Sequence, residues 1–289
     1  MPQKALITMA IFSTPDSAKA FHVDVEGHKP LDAIPDALIL KTSTVAGFVE
    51  GDEPVVRVPS LSLHEEADYV AEGAPIPEAD PDDDEVLIGT SKIALLFPVT
   101  REQYETGQTK QLFANAVRRE MTRRANFKYL AQPEPAAFET RPPAGILNQH
   151  PTFGGVIDGN LDAFIDAIAT IESAGGTATN ILANPAAWAV IAKFKTADDS
   201  NTSLIGAGTE TAQRRLLGLP VDVDLDVPPG KFIVLDNTAI LSVIGNIQTA
   251  TSEHYYFNRD TIAIRATWRF GAKIADPARV VVLDFSDES

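Results

Sequence analysis

The sequence predicts an α+β protein whose parts follow one another along the chain. An N-terminal arm spans residues 1–49, an extended β-hairpin 50–99, a long helix lies within 100–151, an α/β unit covers 152–238, and closing strands occupy 239–289. Three observations carry that reading. Ten carboxylates and no Lys or Arg fall within residues 58–91, a stretch framed by apolar, strand-like segments. An arginine-rich stretch poor in helix breakers follows at 109–130. Beyond residue 152, helical and strand-like patterns alternate before the chain turns to period-two apolar alternation.

Residues 1–49 mix short apolar pieces with Pro15, Pro30 and Pro35, which predicts an extended arm with at most one short strand or helical turn. The acidic excursion reads as two arms around the tip AEGAPIPEADPDDDE. Val55, Val56 and Val58 lie on the way out, and KIALLFPV, residues 92–99, lies on the way back. Thr100 and Gln103 form a capping-box signature, and the helical pattern of 109–130 is roughly 30 Å long. On it Phe113, Val117 and Met121 make one apolar ridge and Leu112 with Ala116 a second. Pro133, Pro135, Pro142 and Pro143 then break the chain.

In LDAFIDAIATIES, residues 161–173, Leu161, Phe164, Ile165, Ile168 and Ile171 follow helical spacing, and Gly175-Gly176 ends the helix. A short apolar strand at 180–183 precedes Asn184, which caps a second helix with Pro185 at its first position and Trp188, Val190, Ile191 and Phe194 as its apolar set. Short strands separated by Gly and Pro follow from Arg214 onward. Residues 261–270 place Ile262, Ile264, Ala266, Trp268 and Phe270 on one face and Arg265, Thr267 and Arg269 on the other. VVVLDF closes the fold as a more continuously apolar strand.

With 289 residues and 44% hydrophobic content, the chain buries a sizeable core as one or two domains. Its charge of −16 argues against non-specific nucleic-acid binding, which rests on many Lys and Arg contacts to phosphate. The absence of cysteine excludes disulfides, thiolate metal sites and cysteine nucleophiles, and is compatible with a reducing cytoplasm. No run approaches the roughly twenty apolar residues of a membrane span, and MPQKALITMAIFSTPD lacks the apolar core of a secretory signal.

Residues 58–91 supply −10 of the −16, whereas residues 110–128 hold six basic side chains against the single acid Glu120. Arms of about twenty residues reach about 60 Å, against a radius of gyration near 19 Å for a compact chain of this length. A lone two-stranded ribbon is marginal in water, and exposed edges invite pairing with other chains. The expectation is that Glu72, Glu78, Asp80, Asp82, Asp83, Asp84 and Glu85 meet basic residues of an adjacent subunit, with Arg118, Arg119, Arg123 and Arg124 as the leading partners.

Catalytic constellations are incomplete. His22, His28, His64, His150 and His254 sit in unrelated contexts, and neither GxSxG nor HExxH occurs. The spacing of Asp80, Asp82 and Asp84 resembles the start of a calcium loop, but Glu85 stands where that loop needs glycine and Ser91 where it needs a bidentate glutamate. Gly206-Ala207-Gly208 has no phosphate-cradling GxxxxGK[ST] around it. No catalytic residue, cofactor or metal site is expected.

The order of parts beyond the first forty residues resembles the major capsid proteins of tailed bacteriophages, which share the Hong Kong 97 type fold. AEGAPIPE is similar to that family's hairpin-tip motif, PPAGIL to its Pro-x-Gly-Ile connector, ILANPAAWAVI to its strand and Asn-Pro-capped helix, and RRLLGLPVDV to its turn into a strand. YYFNRDTIAIRATWRFGAKIADPARVVVLDF is similar to its C-terminal stretch. The resemblance implies an icosahedral shell of pentamers and hexamers that encloses double-stranded DNA without sequence-specific binding. It further implies a virion capsid location after assembly in the host cytoplasm, a portal protein as partner, and room for accessory cement proteins.

In the family's terms the hairpin is the E-loop and the helix of 100–151 is the spine helix of a peripheral domain. Residues 152–238 are the axial domain, and 239–289 complete the peripheral domain. The type member carries a scaffolding segment before its arm and a hairpin lysine that crosslinks to a neighbour. Fewer than sixty residues precede this hairpin, which implies a separate scaffolding protein, and Lys92, its only lysine, sits away from the acidic tip, which argues against crosslinking. Two alternatives are an encapsulin-like nanocompartment shell enclosing a protein cargo and a monomeric α/β enzyme with an acidic flap.

Overall fold

The computed structural model describes residues 25–62, 69–70, 82–105, 107–136, 142–194 and 214–285. The first half of the chain holds β1 (Val25–His28), α1 (Pro30–Ala33), α2 (Leu38–Thr42), β2 (Thr44–Phe48), β3 (Val55–Ser62), β4 (Asp82–Gly89), β5 (Ser91–Thr100), α3 (Arg101–Glu105) and α4 (Gly107–Ala131). The second half holds β6 (Thr152–Ile157), α5 (Asp162–Ser173), β7 (Asn180–Ala183), α6 (Pro185–Ile191), β8 (Arg215–Leu216), β9 (Leu219–Val223) and β10 (Lys231–Leu235). It ends with β11 (Ile240–Ile244), β12 (Ile247–Tyr256), β13 (Thr261–Ile274) and β14 (Val280–Phe285).

Residues 25–49 are more structured than the expected arm, forming two strands and two short helices. Pro30 begins α1, where its missing N–H costs no helical hydrogen bond. Ile34, Ala37, Leu38 and Ile39 are buried in the main core, and the Leu38 N–H donates to Asn126 Oδ1 of α4 at 2.8 Å. Elements of four or five residues are too short to print a period, so burial rather than pattern marks them.

The hairpin's return arm also differs from expectation. β3 pairs with β4, from Val55 opposite Gly89 to Ser62 opposite Asp82, as a separate two-stranded sheet. Eight residues give each arm about 27 Å. The acidic segment DDDEVLIG is itself the returning strand. Residues 92–99 lie instead in β5, which pairs with β13 over ten positions from Thr261–Thr100 to Phe270–Ser91. Two successive alternating segments, separated by Gly89-Thr90, fit either role, and only the partner strand decides between them.

β13 is the axis of the first sheet, with β5 on one side and β12 and β11 on the other, flanked by β1 and β2. Gly245 breaks β11 from β12, and its carbonyl accepts the indole N–H of the buried Trp268 at 2.9 Å. Thr100 Oγ1 accepts the Gln103 N–H, so the capping signature starts the short α3, after which α4 extends for 25 residues, about 37 Å.

The second sheet runs β6-β14-β10-β7-β9-β8. The closing strand β14 therefore sits beside β10 and β6, not with the preceding strands as its place at 239–289 suggested. Its continuous apolar run follows from burial on both faces. Val280 and Val282 join Ile233, Leu235 and Leu182 in a core shared with α4 and the first sheet. Val281 and Leu283 join Phe232, Val234 and Ile181 in a core covered by α5 and α6. Asn184 caps α6 as the sequence indicates, accepting the Ala186 N–H at 3.0 Å. Asp236 binds Arg279 and accepts from the Thr177 N–H and from Thr238 N–H and Oγ1, fastening the turn before β14 to the end of β10.

Candidate inter-subunit interface

The hairpin is mounted on the body at two places. Val58 and Ile88, one on each arm, pack with Val49 and Val243 in a small apolar cluster. At the base, Arg269 of β13 reaches both arms. It donates to Asp52 Oδ1 at 2.9 Å, to the Glu53 carbonyl at 3.4 Å and to Thr90 Oγ1 at 3.2 Å. Thr90 is fully buried, and its N–H donates to the Pro54 carbonyl at 2.8 Å. Beneath this clasp a Cβ on Gly271 would lie 2.0 Å from the Gly89 carbonyl oxygen, so only glycine lets β13 and the hairpin backbone approach so closely. The hydrogen bond from Arg269, then the charge of Lys92, hold the Asp52 carboxyl below its ordinary range. Lys92 Nζ lies 3.8 Å from Asp52, which places this lysine at the hairpin's base and on β5, not on the return arm.

Of the expected acidic contacts, Glu72, Glu78 and Asp80 lie outside the described residues, so the calcium-like spacing that begins at Asp80 does too. Asp82, Asp83 and Asp84 stand on β4 opposite Ser62, Leu61 and Ser60. Glu85 accepts from Arg57 of β3 at 3.0 Å, an intrachain pair across the hairpin with both side chains exposed. The charge count of 58–91 overlooked that pair because Arg57 stands one residue before the stretch. Among the described residues no cluster of His, Asp and Glu is placed to hold a metal ion, and no helix is long and apolar enough to cross a membrane.

The four arginines of α4 divide into two pairs. Arg124 Nε donates to Glu120 at 3.0 Å, and Arg123 lies 3.8 Å from Glu120 and 3.9 Å from Asp226. Burial, then the charge of Asp224, push the Asp226 carboxyl up, while Arg123 and Arg124 pull it down. These two arginines thus have acidic neighbours within their own chain, beside Asn126, whose Nδ2 donates to Asp224 at 2.8 Å. Arg118 and Arg119 are exposed and form no ion pair among the described residues.

The chain thus combines a hairpin with an acidic return strand and a clasped base, a long helix bearing exposed arginines, and two sheets sharing a core. The model of the phage capsid family matches residues 38–285. The chain belongs to the phage capsid family. This membership makes it a structural protein of the virion capsid, and the reading as a monomeric α/β enzyme with an acidic flap falls.

Solved structures agree with the family on fold. A chain from Gordonia phage Cozz superposes with a TM-score of 0.65 at 17% identity, covering 99% of each chain. One from Mycobacterium phage Adephagia gives 0.64 at 15% identity, covering 97% of this chain and 100% of the other. A structure described as the capsid of an empty GTA particle, computed with C5 symmetry, gives 0.60 at 15% identity over 99% and 95% of the two chains. A search of curated protein sequences finds no match. The capsid-family chain has the mixed α+β fold of Hong Kong 97 type shell proteins.

Proposed function

We propose that this capsid protein assembles as pentamers and hexamers of an icosahedral shell around the double-stranded DNA of a tailed phage. The hairpin acts as the E-loop and lies across an adjacent subunit, with its acidic residues facing Arg118 and Arg119 there. Helix α4 is the spine of a peripheral part, and the β6-to-β10 region, joined by β14, forms the part nearest the capsomer axis. A portal protein and a separate scaffolding protein complete the assembly.

The observation that carries the proposal is the charge arrangement. The hairpin stretch holds ten acids, and Glu85 is paired with Arg57, while the exposed Arg118 and Arg119 form no ion pair among the described residues. Exposed ion pairs contribute only about 0–1 kcal/mol each, so such contacts set register while repeated apolar burial around each capsomer supplies cohesion.

Expression of the chain followed by electron microscopy tests this reading. Closed shells or capsomer sheets are expected, and a species that stays monomeric across salt and protein concentration overturns it. Packaged DNA in native particles is the expected content; an enzyme cargo would mark a nanocompartment instead.

A further inference from the structure

An open apolar groove of about 530 Å³ lies between α4 and the first sheet. Its floor is one face of three adjacent strands, where Thr251, Ile264 and Phe97 form a cross-strand row and Thr249 and Ala266 lie in the next. Its wall is the apolar ridge of Phe113, Val117 and Met121 on α4, with Phe113 and Phe97 rings 5.9 Å apart. Phe97, Phe113, Val117 and Ile264 each remain partly exposed, although they face one another. Side chains in this arrangement lose more water contact when a further apolar segment fills the space.

The chain itself leads to this groove. β1 runs antiparallel to β12 with Val25 opposite Ala250 and His28 opposite Ile247, and His28 lines the groove. Val25, the departure point for the segment that precedes it, therefore lies one position short of Thr251 and its row in the groove. The residues before that point lie outside the described ones, and their sequence includes ALITMAIF, residues 5–12, with Leu6, Ile7, Met9, Ile11 and Phe12 as large apolar side chains. Twelve intervening residues span up to about 40 Å when extended, ample for a return to a groove that begins at the departure point.

We propose that the groove is the docking site for residues 5–12 of the same chain. The segment fills the cleft between α4 and β12, β13 and β5, and so clamps the helix to the sheet. This inference does not depend on assembly, because it concerns one polypeptide.

The absence of native cysteine makes the test clean. Leu6, Met9, Ile11 and Phe12 are each changed to Cys in separate full-length variants, all carrying Ala114→Cys, since Ala114 is exposed on the groove wall. A reference variant pairs Leu225→Cys, on an exposed loop, with the same segment positions. Equal amounts of isotopically light and heavy chain are mixed, oxidised mildly, digested with trypsin and analysed by mass spectrometry. The expected result is a disulfide between peptides 5–19 and 111–118 in at least one variant. It forms at least about ten-fold faster than in the reference and joins only peptides of the same isotope. Crosslinks of mixed isotope would place the segment of another copy in the groove, and an absence of enhancement at all four positions would leave it without this occupant; either result overturns the proposal.

Discussion

Replacing Arg269 by alanine should loosen the base of the hairpin while leaving the rest of the fold in place. The side chain is 13% exposed and joins Asp52, the Glu53 carbonyl and Thr90 Oγ1 to β13. The Asp52 partner is 75% exposed, so solvent screening leaves that ion pair a minor contributor. The better-shielded bonds to Thr90 and Glu53 come from a charged donor, and their loss costs about 2 kcal/mol. That loss falls locally, because the cluster of Val49, Val58, Ile88 and Val243 does not include Arg269. Hydrogen exchange read by mass spectrometry is the suitable assay. The Thr90 amide, bonded to the Pro54 carbonyl, should exchange roughly 30-fold faster in R269A, at about 1.4 kcal/mol per factor of ten. Peptides of β10 and β14 should be unchanged, and D52A should have a small effect. If Thr90 exchanges at the native rate in R269A, the close approach of Gly271 to Gly89 holds the hairpin without the clasp and the reasoning fails.

Charge reversal of Arg118 and Arg119 should abolish closed shells without lowering the melting temperature, whereas reversal of Arg123 and Arg124 should destabilise the subunit by about 1–2 kcal/mol through Glu120 and Asp226; equal behaviour in thermal melts and micrographs would remove the distinction. Gly176→Ala should cost about 2 kcal/mol or more in urea denaturation, because the new Cβ would lie 2.3 Å from Arg279 Nε and 2.8 Å from Asp236 Oδ2. Burial pushes the Asp236 carboxyl up, but hydrogen bonds from Thr177, Thr238 and Arg279 outweigh it and hold the pKa at about 2, below the ordinary 3.8. Its stabilising contribution, on the order of 1–2 kcal/mol, is complete above pH 3.8 and is lost as pH falls through 2; D236N should flatten the pH dependence of stability in that window, and an unaltered slope would refute the assignment.

The order of elements was legible because it rests on periodicity and breakers. The alternation in residues 261–270, the Asn184-Pro185 cap and the helical ridge at Phe113, Val117 and Met121 all depend on neighbours a few residues apart. What was not legible depends on partners far along the chain. Val86 and Ile88 of β4 and Ile93, Leu95 and Phe97 of β5 print the same alternation, so pattern alone does not separate the return arm β4 from the sheet strand β5. An acid run has low strand propensity and reads as a turn, although cross-strand pairing holds Asp82 to Glu85 in a strand. Arg123 looked as available as Arg118 because Asp226 lies a hundred residues away in sequence. The burial of Ile34 and Leu38 left no periodic trace, since each sits on a helix of little more than one turn or beside one.

Cryo-electron microscopy of assembled particles will locate the β3–β4 hairpin relative to neighbouring copies. Density for the acidic hairpin is expected across the α4 helix of an adjacent subunit, within ion-pair distance of its Arg118 and Arg119. A hairpin folded onto its own polypeptide, with those arginines facing solvent or another element, would contradict that placement.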